Sequence, residues 1–100
     1  MDSSPNRRAS ERHPAPLVVS IQPLTANRKP VGQPLAAISR DLSQSGLCFL
    51  SDHPLLSDLA EVEIQAASSE QSVHLLAERI RCRRFGGMFE IAVRFVEKLA

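Results

Sequence analysis

Gly86-Gly87-Met88-Phe89-Glu90-Ile91-Ala92-Val93-Arg94-Phe95 is the stretch that decides the fold. The paired glycines suit the positive φ angles of a two-residue hairpin turn. After them, Phe89, Ile91, Val93 and Phe95 fall on one face, and Glu90, Ala92 and Arg94 on the other. An unbroken period of two is the signature of a strand with one face in a core. The residues before the turn alternate as well, with Arg79, Arg81 and Arg83 on one face and Ile80 and Cys82 on the other. The chain therefore closes on an antiparallel hairpin.

Working backwards, the same period recurs. Leu17, Val19 and Ile21 alternate with Val18, Ser20 and Gln22 until Pro23 stops the run. Residues 25–34, with Asn27, Gly32 and two prolines, read as a long hairpin loop. Residues 35–39 form a second strand, residues 47–50 a third and residues 59–66 a fourth, with a small-residue connection over 67–71. Residues 73–84 form a fifth, although His74-Leu75-Leu76-Ala77-Glu78 also suits a helix. Residues 96–100 can begin a short C-terminal helix. Six short strands separated by turns predict an all-β antiparallel barrel or sandwich, and closure would remove exposed edges.

With 100 residues and 43% hydrophobic content, the chain suits one small domain. Four Phe and no Trp or Tyr leave the core to Leu, Ile, Val and Ala. A net charge of +1 gives no global drive toward a nucleic acid polymer or an anionic membrane. Arginines nevertheless cluster at Arg7, Arg8 and Arg12, and again at Arg79, Arg81, Arg83 and Arg84. Such clusters suit a local anion site or a solubilising surface. Cys48 and Cys82 fit no metal-ligand spacing and read as buried free thiols of a reducing compartment. No stretch approaches the ~20 apolar residues of a membrane span, and no leader is visible, so a cytoplasmic protein without membrane insertion is expected.

Catalytic chemistry finds no support. His13, His53 and His74 stand in unrelated contexts, and the carboxylates form no pair set apart for acid and base work. The expectation is a non-enzyme without metal or cofactor. Residues 1–16 are polar and Pro-rich without hydrophobic periodicity and read as a flexible N-terminal arm. Residues 17–100 form the domain.

Two elements do carry chemistry. Arg8-Ala9-Ser10-Glu11-Arg12 puts two guanidinium forks on the arm, suited to phosphate oxygens and purine edges. Asp41-Leu42-Ser43-Gln44-Ser45-Gly46 puts a carboxylate, a hydroxyl and a glycine into the turn between the second and third strands. In this order the two resemble the signature RxxxR…[D/N]xSxxG of PilZ domains, and the run through Gly87 and Phe89 to Phe95 resembles their closing strand. The resemblance covers nearly the whole chain.

The resemblance implies a six-stranded antiparallel β-barrel that binds cyclic di-GMP on its outer surface, with the arm closing over the ligand. It implies that Arg8 and Arg12 grip guanine and phosphate. Asp41 would accept from guanine N–H groups, Ser43 would lie beside base or phosphate, and Gly46 would supply an unusual backbone angle and close approach. Arg7, next to Arg8, would help neutralise a second molecule of an intercalated ligand dimer. The implied role is a receptor and adaptor that changes surface on binding and signals to an effector protein controlling motility, biofilm or polysaccharide export. The alternative is a ligand-independent interaction module of a pilus or flagellar machine. Such members usually lack the arginines, which are present here. A nucleic-acid-binding barrel would need exposed stacking aromatics, whereas Phe89 and Phe95 fall on the core face.

Overall fold

The computed structural model describes residues 17–65 and 72–99. The arm with Arg7, Arg8 and Arg12, and the connection over 67–71, lie outside the described residues. Six strands follow one another: β1 (Val18–Leu24), β2 (Leu35–Leu42), β3 (Gly46–Ser51), β4 (Leu59–Gln65), β5 (Ser72–Phe85) and β6 (Met88–Lys98). Every pairing is antiparallel, and the sheet closes as β1-β2-β3-β6-β5-β4 with β4 returning to β1. Of the two architectures open to six such strands, the chain adopts the barrel.

The period of two builds the core directly. Val19 and Ile21 of β1, Leu47 and Phe49 of β3, Val62 of β4, and Ile91 and Val93 of β6 point inward and are buried. Phe89 and Phe95 pack against this cluster from the same face of β6. Leu55, from the β3–β4 loop, is fully buried and joins them. Arg79 fastens that loop: its Nη1 donates to the Leu55 carbonyl at 2.9 Å and its Nη2 pairs with Asp58 at 3.0 Å.

Four local expectations change. Pro23 does not end β1, because it stays paired with Ala60 of β4 while its carbonyl accepts the Val31 N–H at 3.0 Å from the other side. Its missing donor is thereby kept off the β4 ladder. His74 to Glu78 is strand, not helix, because β4 flanks it on one side and β6 on the other. The C-terminal helix gives way to the same pairing, with Leu75 opposite Lys98 and Leu76 opposite Glu97. At the closing hairpin, Gly86 alone carries a positive φ, of 63°.

Three β-bulges interrupt the alternation among the described residues, one of them at Val96 of β6, which is skipped between the Leu76–Glu97 and Ala77–Phe95 pairs. In β2, Ser39 pairs with Phe49 and Asp41 with Cys48, so Arg40 is the extra residue. In β5, Arg79 pairs with Val93 and Arg81 with Ala92, so Ile80 is extra. A bulge flips the side-chain sense of the strand beyond it. Arg79 therefore does not share a face with Arg81 and Arg83, as simple alternation had it. It stands opposite the inward Val93, whereas Arg81 and Arg83 stand opposite the outward Ala92 and Glu90. Cys48 and Cys82 are free and half-buried rather than fully buried. Cys82 pairs with the inward Ile91 and Cys48 with the outward Ala92, so the thiols lie on opposite faces of the sheet.

Candidate functional site

The β2–β3 turn is held from three directions. The Ser43 N–H donates to the Gly46 carbonyl at 3.0 Å, closing the turn. The Ser43 Oγ accepts the Ser45 N–H at 3.3 Å and lies 3.2 Å from the Ser45 Oγ. The Phe95 N–H donates to the Ser45 carbonyl at 2.8 Å, tying the turn to β6. Ser43 is thus a turn-forming residue of the kind whose hydroxyl bonds its own backbone two residues on.

Gly46 has no positive φ, so the expected unusual backbone angle is not its reason for being glycine. It pairs with Arg94, and a Cβ built on it would collide with the Val93 carbonyl oxygen of β6. The close approach is to the protein's own backbone.

Asp41 reaches the outer surface because of the Arg40 bulge. Ala37 and Ser39 point inward and are buried, and uninterrupted alternation would carry Asp41 inward with them. The extra residue turns Asp41 outward beside Cys48. From there one row runs across four strands: Asp41 of β2, Cys48 of β3, Ala92 of β6 and Arg81 of β5. The two middle positions carry small side chains, so the row forms a shallow floor between a carboxylate and a guanidinium.

The neighbouring row carries a cluster that sequence reasoning did not single out. Glu90 lies on the outer face, yet its side chain is only 7% exposed because arginines cover it. Arg83 donates from Nε to Glu90 Oε1 at 2.7 Å and approaches it with Nη2 at 2.6 Å. Arg40 pairs with Glu90 Oε2 at 3.2 Å while its guanidinium lies 4.9 Å from the centre of the Phe85 ring. The hydrogen bond from Arg83 holds the Glu90 carboxyl below its ordinary value, outweighing the burial that would raise it. On the other flank, Arg94 of β6 pairs with Glu78 of β5. The outward positions Glu90, Ala92 and Arg94 were visible in the period of β6. Arg40 was not, because its placement depends on the bulge.

Burial, followed by the Glu90 charge, pushes the Cys48 thiol up, and the Arg81 and Arg40 charges oppose that shift. Of the expected site residues, then, the fold brings Asp41, Ser43 and Gly46 to one rim of the barrel. Arg7, Arg8 and Arg12 lie outside the described residues.

Among solved structures, the chain resembles that of the Bacillus subtilis inhibitor of motility (MotI/DgrA), with a TM-score of 0.68 at 18% identity. The likeness covers 90% of this chain and 43% of that one, so the chain spans less than half of that protein's length. At this identity the likeness shows the fold. No curated protein matches the chain. The model of the PilZ domain, a family of cyclic di-GMP-receptor modules, matches residues 6–100, from the arm to the end of the barrel, and the chain belongs to that family.

Proposed function

We propose that this chain is a cyclic di-GMP receptor working as a cytoplasmic adaptor. Its arm, residues 1–16, would carry Arg7, Arg8 and Arg12 onto the outer face that Asp41, Ser43 and Gly46 border. The observation that carries the reading is the Arg40 bulge, which turns the motif carboxylate out of the core and onto the face of the β2–β3 turn. Asp41 would accept from guanine N–H groups, while Arg8 and Arg12 bond guanine edges and phosphate bidentately. The ligand's binding energy would be partly spent fixing the arm on the barrel, and the altered surface would be what an effector of motility, biofilm or polysaccharide export reads. With Arg7 adding a third cation, the site would take two intercalated ligand molecules.

Calorimetric titration of cyclic di-GMP into the wild type and Arg8→Ala tests the reading. Saturable micromolar binding is expected, with two ligands per chain. Contacts of this kind contribute roughly 1–3 kcal/mol each, so Arg8→Ala should bind about tenfold more weakly or worse. Absence of saturable binding to the wild type overturns the receptor reading, and a ratio of one ligand per chain overturns the intercalated dimer.

A further inference from the structure

The bulges at Arg40 and Ile80 lie at the ends of one row. The Arg40 bulge turns Asp41 outward at the β2 end, and the Ile80 bulge turns Arg81 outward at the β5 end. Bulges recur beside functional sites because they re-aim a side chain. Between the two ends lie only Cys48 and Ala92. Three strand spacings separate Asp41 from Arg81, about 14 Å in all.

The charges of the surrounding arginines are already engaged. Arg28, Arg40, Arg79, Arg83 and Arg94 each pair with a carboxylate. Arg84 lies over the Phe89 ring at 5.6 Å. Among the described residues, Arg81 is the arginine with neither kind of partner, and it is exposed. The Glu90 carboxylate beside the row is ion-paired by Arg83 and Arg40 and feels the Arg81 charge only as a lesser contribution, so Arg81 stands at the end of the floor as a guanidinium without an ion pair among the described residues.

We infer that Arg81 is a further ligand-binding residue, a cation reaching back over Ala92 to a phosphodiester of the cyclic dinucleotide whose guanine lies at Asp41. This rests on the receptor reading above. An exposed guanidinium with no protein partner loses no existing ion pair when it takes a phosphate, and its planar fork suits two phosphate oxygens at once.

The test is calorimetric titration of cyclic di-GMP into the intact chain as wild type, Arg81→Ala, Arg81→Lys and Arg84→Ala, each at low and high salt. Loss of one charge-assisted contact should weaken binding by Arg81→Ala about tenfold. Its affinity should also fall less steeply with salt than that of the wild type, because one screened ion pair is gone. Arg81→Lys should recover part of the affinity. Arg84→Ala should stay within about twofold of wild type, since its guanidinium lies on Phe89 rather than in the row. Wild-type binding with an unaffected Arg81→Ala overturns the role of Arg81 and leaves the receptor reading standing. An equal loss in Arg84→Ala also overturns it, by showing a general effect of charge. No saturable binding to the wild type overturns both.

Discussion

Gly46 of β3 lies against the Val93 carbonyl oxygen of β6 so closely that no Cβ fits between them. The obstacle is backbone in a closed barrel, so it cannot swing aside as a flexible side chain would. Gly46→Ala must push β3 away from β6 and loosen the turn, since the Ser43 N–H is bonded to the Gly46 carbonyl. Overpacking of this kind costs about 1–3 kcal/mol. Urea denaturation should show that loss as a lowered midpoint, together with weaker cyclic di-GMP binding. A wild-type midpoint in Gly46→Ala would show that the strands part easily.

Glu90 gives the barrel an acid sensitivity whose sign is fixed. The Arg83 hydrogen bond holds its carboxyl below the ordinary value of 4.5. A depressed carboxyl adds stability in full above the unfolded-state value, and that stability disappears as pH falls through the folded-state value. Glu90→Gln should be less stable than wild type near neutral pH, because Arg40 and Arg83 lose a shared counter-charge. Below about pH 4.5 the two proteins should converge as the wild-type carboxyl protonates. Urea midpoints measured across the acid range check this, and parallel curves would rule out Glu90 as the titrating group.

The core of the fold was legible because β1, β3, β4 and β6 are half-buried strands whose alternation is written locally in Val19, Ile21, Phe49, Val62, Ile91 and Val93. The motif turn was legible for a similar reason, since Asp, Ser and Gly at fixed offsets describe local chemistry. What alternation could not supply was the placement of the extra residues Arg40, Ile80 and Val96. Through Ala37, Ser39 and Asp41 the pattern runs on as if regular, and only pairing with β3 makes Arg40 a bulge. The same applies to Arg79 and Arg81, whose separation depends on β6. His74 to Glu78 carries good helix formers, and two flanking strands override that preference. Glu90 is buried by arginines from two other strands, a condition its own neighbours in sequence do not reveal.

Asp41 faces outward beside Cys48, and on the proposed reading what it would supply there is an acceptor oxygen for guanine N–H groups. An amide oxygen meets that requirement and a methyl group does not. Asp41→Asn should therefore bind cyclic di-GMP with affinity close to wild type. Asp41→Ala should lose roughly 1–3 kcal/mol, tenfold or more in dissociation constant. Calorimetry on the pair separates acceptor geometry from charge. A loss in Asp41→Asn as large as that in Asp41→Ala would mean that the negative charge itself is needed.

Ser39 ties Leu17 to β2. It is buried in β2, its Oγ accepts the Leu17 N–H at 2.8 Å, and its own N–H donates to the Leu17 carbonyl at 3.1 Å. Ser39 stands two positions before Asp41. The two bonds fix Leu17, the residue that follows the proposed arm in sequence, relative to β2. Ser39→Ala keeps the backbone bond and removes the side-chain acceptor, leaving a part-buried N–H unpaired at a cost of about 1–3 kcal/mol. Thermal unfolding should register that loss. Cyclic di-GMP affinity should fall with it, because Arg8 and Arg12 would approach the face from a looser anchor. Ser39→Thr, which retains the hydroxyl, should restore more of the affinity than Ser39→Val, which has a similar shape without it. Equal affinities in the Thr and Val variants would show that the anchor acts through packing alone.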